Sequence, residues 1–461
     1  MAATAIPDWV AQQRQFFASG QTRPLAFRQA QLQQLRQAIA AREAAFTQAL
    51  WQDCRRPPLE TVAGEVSYCL QEIDCARKHL RRWARPQPAP TPLPLLPARS
   101  YTVSEPLGVV AIVSPWNYPV QLALVPLIGA IAAGNCALVK PSEVAPHAAR
   151  AVSELIAATF DPALVRAVEG DKETTQQLLA QPLDHIFFTG SAAIGREVMR
   201  AAAERLIPVT LELGGKSPCL VDRQIRLNDA ARRIAWGKFI NAGQTCIAPD
   251  YVLAHRAIAS ELIAAMRDCL RTFYGEDPAQ SPDYARIIND RHFERLRALI
   301  EPGQVAAGGE TDPDQRYIAP TILEGVSWDD AVMQEEIFGP ILPVLRYETL
   351  DDALAAIAAR PKPLALYAFS QDATVRRRVL QETAAGSTCF NDTIVQFLSP
   401  RLPFGGVGAS GMGSYHGRAS FETFSHRRSV VRRPLWPDIK LRYPPYRGKL
   451  GALRWLLRWG S

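Results

Sequence analysis

The stretch HIFFTGSAAIG, residues 185–195, decides the fold class, because an apolar run ends there in small residues and a helix begins directly afterwards. The same order recurs in VVAIVSPWNYP at 109–119 and in ALVKPSE at 137–143, with helical patterns over about 120–133 and 146–159. Short apolar strands that alternate with helices pair in parallel in doubly wound sheets. The sequence therefore predicts an α/β fold with ligands at the carboxyl ends of the strands.

The rest of the chain is predicted to form further segments before and after this unit. With 461 residues, the chain is too long for one compact core, so two or three domains are expected. Helical patterns cover 5–55 and 58–83, and a proline-rich stretch at 85–100 forms an extended connector. A second α/β unit begins after about residue 211 and runs to about 395. The glycine-rich segment PFGGVGASGMGSYHG, 403–417, is predicted to be a loop.

The positive charge of the chain is concentrated at its C-terminus. The formal net charge is +7, and no acidic residue follows Asp438, whereas six lysines and arginines do. This distribution favours an anionic surface near the tail over a nucleic-acid partner along the whole chain. The segment KLGALRWLLRW, 449–459, places Leu450, Leu453, Trp455, Leu456 and Leu457 among the cations. It can lie in a membrane interface but is too short to cross a bilayer; the alternative is packing on the enzyme or on a partner subunit.

The cysteines and the N-terminus point to a reducing compartment. The eight cysteines form no C-x-x-C pair, and no histidine cluster has the spacing of a zinc site, so we expect no metal. The N-terminus lacks the basic start and apolar core of a secretory signal, and no stretch of about 18 apolar residues spans a bilayer. The predicted location is cytoplasmic, with the tail as a peripheral contact at a membrane surface.

One cysteine stands apart from the others. In NAGQTCIAPDYVL, residues 241–253, Cys246 follows Gly243, Gln244 and Thr245, whereas a structural cysteine usually has aliphatic neighbours. Small neighbours give access to a thiol, which needs activation to act as a nucleophile. The alternative is an inert buried thiol, and we accept that reading for the other seven cysteines.

Two polar residues near predicted strand ends are candidates for supporting the same chemistry. Glu212 lies inside the apolar run LELGG, where desolvation raises the pKa of a carboxyl group towards the range of a general base. Asn117 lies in a loop after a strand, where its amide can donate to a developing oxyanion. The alternatives are a structural glutamate bonded to backbone donors and an asparagine that forms an Asx-turn.

Two further motifs suggest a bound dinucleotide, and a third does not. FTGSAAIG, 188–195, opens a helix whose free N–H groups can hold a pyrophosphate, with Ser191 as N-cap or phosphate donor; an ordinary strand-to-helix turn is the alternative. In KPSE, Lys140 and Glu143 can bind ribose hydroxyls or form a surface ion pair. GVGASG, 406–411, matches G-x-G-x-x-G, but no strand precedes it, so we reject it as a dinucleotide fingerprint.

Taken together, these motifs resemble the aldehyde dehydrogenase superfamily. SPWNYP, KPSE, FTGS, LELGGKSP, FINAGQTCIAPDYVL, EEIFGP and PFGGVGASGMGSYHG follow in that order over nearly the whole chain. The length and the stretches AGQTCIAPDYVL and YPPY look most like the class 3-like branch, which includes fatty, aromatic and coniferyl aldehyde dehydrogenases. The resemblance implies a Rossmann-type cofactor domain at 1–84 and 106–210 and a catalytic domain at 211–395. It also implies bridging or oligomerisation segments at 85–105 and 396–435, a basic tail at 436–461, and a homodimer.

The resemblance also implies roles for individual residues. Cys246 matches the nucleophile that forms a thiohemiacetal and then a thioester, Glu212 the base that activates water, and Asn117 the oxyanion donor. NAD, NADP or both are implied as cofactor, with NAD expected. The positions matched to cofactor binding are Trp116, Lys140, Glu143, Gly170, Gly190, Ser191, Gly195, Leu213, Gly214, Glu336 and Phe338.

Aromatic residues suggest the substrate class. Tyr68, Tyr118 and Trp236 are candidates for a tunnel wall and His416 for its mouth, which favours long aliphatic or aromatic aldehydes. Some of these residues are core aromatics in the alternative reading. Three other functions stay open: a relative that transfers the acyl group to coenzyme A, a non-catalytic binding protein on this scaffold, and a module whose main role is membrane binding. Glu212 argues against the first, and the presence of Cys246, Glu212 and Asn117 argues against the second.

Overall fold

A computed structural model describes residues 2–438 and 440–458 of the chain. The first part is helical and then extended. Its elements are α1 (Ala2–Ala18), α2 (Leu25–Ala41), α3 (Glu43–Cys54), α4 (Pro58–Thr61), a π-helical turn (Val62–Val66), α5 (Ser67–Trp83), β1 (Gln87–Ala89), a 3₁₀ turn (Leu93–Leu95) and β2 (Arg99–Pro106). The proline-rich connector thus contains extended strand segments and one 3₁₀ turn, but no α-helix among its described residues.

The first sheet begins with VVAIV, the apolar run before SPWNYP. Its elements in chain order are β3 (Val109–Val113), α6 (Gln121–Ala133), β4 (Cys136–Lys140), α7 (Pro146–Thr159), β5 (Val165–Ala167), α8 (Lys172–Leu179), β6 (His185–Thr189), α9 (Ala192–Ala203) and β7 (Val209–Glu212). These five strands pair in parallel, and every residue of β3, β4 and β6 is buried. Burial on both faces explains the continuous Val, Ile and Phe runs, since each such side chain gains about 1.5–3 kcal/mol on leaving water.

The second sheet follows with a similar alternation. Its elements are β8 (Pro218–Val221), α10 (Leu227–Phe239), β9 (Tyr251–His255), α11 (Ala259–Tyr274), α12 (Asp290–Arg297), β10 (Val305–Ala307), β11 (Thr311–Asp312), β12 (Tyr317–Ile318), β13 (Thr321–Leu323), α13 (Ala331–Gln334), β14 (Ile341–Tyr347), α14 (Leu350–Ala358), β15 (Ala365–Phe369), α15 (Ala373–Glu382) and β16 (Ser387–Phe390). The strand order is β10-β13-β14-β9-β8-β15-β16, and β11 and β12 form a separate hairpin.

The last part of the chain returns to the first sheet. It contains β17 (Gly411–Met412), α16 (Gly417–Thr423), β18 (Ser425–Arg432) and α17 (Leu450–Arg458). Helix α6, all of whose residues are buried, packs against α2, α5 and α16. Strand β18 lies antiparallel to β2, which gives a three-stranded sheet in the order β1-β2-β18.

Strand β7 pairs with β6 through Glu212, and one sequence prediction is wrong beside it. The segment 403–417 is not entirely loop, because Gly411 and Met412 pair antiparallel with Glu212 and Leu211 and add an edge strand. The full order of the first sheet is therefore β17-β7-β6-β3-β4-β5.

This order creates a switch point beside β3. From β3 the chain crosses to β4 on one side, whereas β6 pairs with β3 on the other side. In open α/β sheets, the crevice at the carboxyl ends of such neighbouring strands binds ligands. The loop 114–119 follows β3 and the turn 190–191 follows β6, so both motifs meet at this crevice.

Candidate active site

A cavity of about 340 Å³ lies between the crevice of the first sheet and the amino end of β9 in the second. Apolar and aromatic side chains form most of its wall. The structure brings most of the predicted site residues to this one place. Those that line the cavity are Trp116, Asn117, Tyr118, Gly190, Ser191, Glu212, Leu213, Gly214, Trp236, Cys246, Glu336 and Phe338.

Cys246 is a free, partly exposed thiol on the cavity wall. Burial, together with the nearby Glu336 and Glu212 carboxyl groups, raises the pKa of the thiol to about 12, while the N–H groups of Cys246 and Ile247 act in the opposite direction. The thiol is therefore protonated near neutral pH, and nucleophilic attack requires removal of its proton at the time of reaction.

The turn before Cys246 is held in an unusual backbone conformation. Asn241 and Ala242 have φ values of 52° and 49° in the left-handed region, and Gly243 has a φ of 72°. A Cβ atom on Gly243 would lie 2.2 Å from the carbonyl oxygen of Gly339, so only glycine fits there. The surroundings must enforce this turn, because non-glycine residues rarely adopt positive φ.

Hydrogen bonds from buried side chains fix that turn. The Gln244 amide donates to the carbonyl oxygens of Asn241 and Arg286, both at 3.0 Å, and its Oε1 accepts from the Ile288 N–H at 3.0 Å. The Asn241 N–H donates to Glu60 at 2.9 Å. The turn that carries the thiol is therefore anchored on several sides.

Asn117 is tied to the same turn. Its Nδ2 donates to the Gln244 carbonyl oxygen at 3.1 Å, and its own carbonyl oxygen accepts from the Arg56 guanidinium. Arg56 is fully buried and paired with the buried Glu65, whose second carboxylate oxygen accepts from the Val120 N–H. An amide nitrogen carries two hydrogens, so one remains for a group in the cavity.

Glu212 ends strand β7 as a buried carboxyl group that lines the cavity. Burial raises its pKa well above the ordinary value. Neither carboxyl oxygen has a hydrogen-bond partner among residues 2–438 and 440–458. Buried polar atoms are almost always partnered, so an orphaned carboxyl group beside a thiol indicates a water or substrate position.

The opposite part of the wall is built from turns. Ser191 is the N-cap of α9, where its hydroxyl accepts from the Ile194 N–H, as the sequence predicts. A Cβ atom on Gly214 would lie 2.0 Å from a Glu336 carboxyl oxygen, so this carboxyl group rests directly on the backbone. Burial first, and Asp250 second, raise the pKa of Glu336 to about 8. Trp116 and Phe338 meet edge to face at 5.3 Å.

Four predicted cofactor residues are not part of this wall. Lys140 is buried at the end of β4 and pairs with the half-exposed Glu143. Gly170 precedes α8, and a Cβ atom on Gly195 in α9 would lie 2.7 Å from the Leu213 side chain. Lys140 ends strand β4 and Gly170 follows strand β5, so they lie along the same carboxyl edge of the first sheet as Ser191.

The predictions for Tyr68 and His416 are wrong in position. Both side chains are buried, and neither lines the cavity. The Tyr68 hydroxyl contacts His416 Nδ1 at 2.8 Å, and the two rings support Phe397 and Phe404, which do line the wall. His416 cannot mark a mouth, because only 2% of it is exposed and burial lowers its pKa to about 3.

Sequence reasoning missed several wall residues. Glu60, Ala63 and Gly64 come from α4 and the π-helical turn, and Ile394, Phe397, Leu398, Phe404 and Tyr415 come from the C-terminal quarter. No spacing rule links these segments to Cys246, because they reach it only through the tertiary fold. The π-helical turn, a feature that often occurs at functional sites, is visible only in the structure, because the sequence pattern does not reveal it.

The described residues contain neither a metal-binding cluster nor a helix that crosses a membrane. Within residues 2–438 and 440–458, no three His, Cys, Asp or Glu side chains are grouped to hold a metal ion. Among the helices that the structure describes, none has both the length and the hydropathy needed to cross a membrane.

Comparison with known families agrees with the geometry. The model of the aldehyde dehydrogenase family matches residues 2–430. The chain belongs to the aldehyde dehydrogenase family. The protein is thus an oxidoreductase that oxidises aldehydes, and the family uses NAD or NADP.

Individual relatives cover nearly the whole enzyme. It is 48% identical over 441 residues to a 4,4'-diaponeurosporen-aldehyde dehydrogenase of Staphylococcus aureus, covering 95% of this chain and 96% of the relative. It is 48% identical over 447 residues to the dimeric NADP-preferring aldehyde dehydrogenase of Mus musculus, covering 96% and 99%. Among solved structures, the substrate-bound state of Staphylococcus aureus AldH superimposes with a TM-score of 0.96 at 46% identity, covering 98% and 99%.

Proposed function

We propose that this enzyme oxidises apolar aldehydes, long-chain aliphatic or aromatic, to carboxylic acids through a covalent intermediate on Cys246. The observation that carries the proposal is one largely apolar cavity whose wall holds a partly exposed thiol, an unpartnered buried carboxyl group and an amide donor. An apolar pocket with a few placed polar groups suits an apolar substrate whose one polar end reacts.

The chain's residues fit a nicotinamide dinucleotide. The N-terminus of α9 offers N–H groups at Ser191 to a pyrophosphate, and a side chain at Gly190 or Gly214 would collide with Phe188 or Glu336. Glu336, Phe338 and Trp116 would flank the nicotinamide riboside, and Leu213 its ring. When bound, the nicotinamide accepts the hydride from the aldehyde carbon.

The adenosine end would lie farther along the first sheet. Lys140 and Glu143 would hold its ribose, near Gly170 and the start of α9 that contains Gly195. Glu143 can accept a hydrogen bond from a ribose hydroxyl but would repel a phosphate group at that position. Its ion-pair partner Lys140 would offset part of this repulsion. We therefore propose NAD as the preferred cofactor, with NADP also accepted.

The first chemical step is attack of the Cys246 sulfur on the aldehyde carbon. Sulfur bonds to carbon, the carbonyl electron pair moves to oxygen, and the thiol proton leaves to a nearby carboxylate; Glu212 and Glu336 are close enough to raise the thiol pKa. The free amide hydrogen of Asn117 and the Cys246 N–H would stabilise the resulting oxyanion. Loss of hydride from this thiohemiacetal leaves a thioester.

Glu212 would then complete the turnover. With its raised pKa and its unpartnered oxygens, it can take a proton from water as the water attacks the thioester carbonyl. The carbon–sulfur bond breaks, the acid leaves and the thiol is restored. A water activator in this position favours hydrolysis over transfer of the acyl group to coenzyme A.

The test is NADH formation with aldehydes from acetaldehyde to long aliphatic and aromatic ones, repeated with NADP. We expect kcat/KM to rise with chain length or ring size, and Cys246→Ala to abolish turnover while cofactor binding persists. Cys269→Ala, which removes a half-buried thiol outside the cavity wall, is the control. Equal kcat/KM for acetaldehyde and the long aldehydes would contradict the apolar substrate, and retained turnover in Cys246→Ala would contradict the nucleophile.

Assembly and location complete the proposal. We propose a homodimer, supported by the mouse relative named as dimeric and by the small three-stranded sheet β1-β2-β18, whose edge strands β1 and β18 each have one neighbouring strand among the described residues. Segments 85–105 and 396–435 would bridge the subunits, beside a cofactor domain (1–84 and 106–210) and a catalytic domain (211–395). Light scattering of the purified enzyme tests the dimer, which a monomeric mass would refute.

The tail 436–461 is proposed to contact membranes peripherally. Trp436 is 83% exposed and Trp455 64%, and Leu450 and Leu453 on α17 are also exposed. The side chains of Leu456 and Leu457 and the whole of Trp459, which the sequence also suggests, lie outside the described residues. Within the described residues, the main contact of helix α17 is with the 3₁₀ turn at 93–95, and the side chains named above stay exposed.

A further inference from the structure

The charged groups on the cavity wall share one sign. Glu60, Glu212 and Glu336 all line the cavity, whereas no lysine or arginine of the described chain does. His292 on the same wall offers no cation, because burial lowers its pKa to about 4. Two of the three carboxyl groups have roles in the proposed mechanism, and Glu60 has none.

Glu60 comes from a different segment of the chain than the wall residues assigned to the cofactor. Glu336 rests on Gly214 in the turn after β7, but Glu60 belongs to α4 and lies next to Ala63 and Gly64 of the π-helical turn. It accepts from the N–H of Asn241, the neighbour of the wall residue Ile240. An aldehyde chain that extends from Cys246 away from the nicotinamide would pass this carboxyl group.

Arg56, the cation that acts on Glu60, is already paired with another carboxyl group. Arg56 is 1% exposed and is not part of the wall. Its guanidinium already binds the Glu65 carboxylate, the Asn117 carbonyl oxygen and Asn241 Oδ1. Burial, the largest effect, raises the pKa of Glu60 to about 7 although Arg56 acts against it, so the group is anionic at the alkaline pH of a dehydrogenase assay.

We propose that Glu60 is a specificity-determining residue that excludes aldehydes with a second, anionic end from the substrate cavity while neutral aldehydes of the same length enter. The proposal rests on the function proposed above and adds which aldehydes that site rejects. Like charges brought within several ångströms in a poorly solvated pocket repel strongly enough to change kcat/KM by about tenfold or more.

The test compares 9-oxononanoate with its methyl ester, two aldehydes that differ in charge but hardly in length. With the wild-type enzyme at pH 8.5, we expect kcat/KM for the ester to exceed that for the carboxylate at least about tenfold. In Glu60→Gln this ratio should fall to within about threefold, because the glutamine oxygen still accepts from Asn241 while the charge is gone. Glu43→Gln, an exposed change on α3, should leave the ratio unchanged.

Each outcome decides the proposal. Equal use of both substrates by the wild type overturns it without any variant. A ratio in Glu60→Gln that stays as in the wild type, or a parallel fall for both substrates, also overturns it, because the second result assigns Glu60 only to support of the 241–243 turn. Failure of the wild type on the neutral ester would instead contradict the proposed function, so the two ideas fail in different ways.

Discussion

The thiol of Cys246 carries the chemistry, yet its surroundings keep it protonated. A raised pKa means that the thiolate is scarce at neutral pH and becomes more abundant as pH increases. We expect alkylation of Cys246 by iodoacetamide in the enzyme without cofactor to rise about tenfold per pH unit between 7 and 9, the behaviour of a group far below its pKa. Peptide mapping by mass spectrometry separates Cys246 from the half-buried Cys75 and Cys269, and a plateau of reactivity below pH 9 would show an already activated thiol.

Removing the charge of Glu212 should separate acylation from hydrolysis. Glu212→Gln keeps the size of the side chain but cannot accept a proton, so acyl-enzyme should accumulate, with steady-state turnover lower by about 10²-fold or more. A burst of NADH equal to the site concentration and an acyl adduct in the intact mass would show this. Glu154→Gln, an exposed change on α7, should behave as wild type. Rapid steady acid release by Glu212→Gln would mean that another group activates water.

For single residues, the sequence predicts the chemical role of a side chain better than its position in the fold. Cys246 and Glu212 stand out because their local neighbours are unusual for their residue types, and the structure brings both to one cavity. His416 and Tyr68 have no such local signal, and both lie behind the wall because two phenylalanines stand in front of them. Glu60 could not be identified, since its place near the cavity depends on contacts across 181 residues.

Among the structural elements, the turn 241–243 gives the sharpest test. Gly243→Ala adds a Cβ atom that would overlap the Gly339 carbonyl oxygen in a backbone conformation that alanine disfavours. We expect a fall in Tm, and a loss of turnover because the thiol is displaced. The matched control is Gly325→Ala: Gly325 has a φ of 71° but no atom within 4 Å of its Cβ position, so it costs only the backbone term of about 1–2 kcal/mol.

The difference in Tm between the two variants measures the effect of the close contact, because both variants carry backbone strain. A Tm for Gly243→Ala at or above that of Gly325→Ala would show that the 243 turn relaxes and that its tight packing does not hold Cys246. Retained turnover in Gly243→Ala would support the same conclusion.

Elements with strong local patterns could be predicted, and elements formed by remote pairing could not. Strands β3, β4 and β6 are short apolar runs bounded by turns, so their parallel pairing follows from the sequence. Strand β17 is two residues inside a glycine-rich stretch and exists only because Glu212 and Leu211 offer a sheet edge about 200 positions earlier.

For the whole molecule, removal of the C-terminal tail tests membrane binding and catalysis independently. Deletion of residues 440–461 should leave kcat/KM on a water-soluble aldehyde within about twofold, because no residue of the tail lines the cavity in the described chain. It should abolish cosedimentation with vesicles that contain anionic lipid, since both the exposed apolar side chains and the cations are removed. A full-length variant with Lys449→Glu and Arg454→Glu controls for charge, and should lose most vesicle binding without losing turnover.

Two other results of the deletion would contradict membrane binding by the tail. If the truncated enzyme changes from a dimer to a monomer in light scattering, the tail packs on a partner subunit instead of on lipid. If it still binds vesicles, another surface is responsible. The sequence indicates a basic amphipathic segment at the C-terminus, but charge and hydropathy alone do not distinguish a lipid partner from a protein partner.

The wall of the cavity is assembled from almost the entire chain, beginning at Glu60 and ending at Tyr415. During synthesis on a ribosome, the thiol of Cys246 therefore leaves the exit tunnel long before Phe404 and Tyr415 exist to enclose it. A nascent chain or fragment that ends between residues 246 and 415 has the nucleophile without a complete pocket for an aldehyde. The order of translation thus postpones catalysis until the polypeptide is nearly finished.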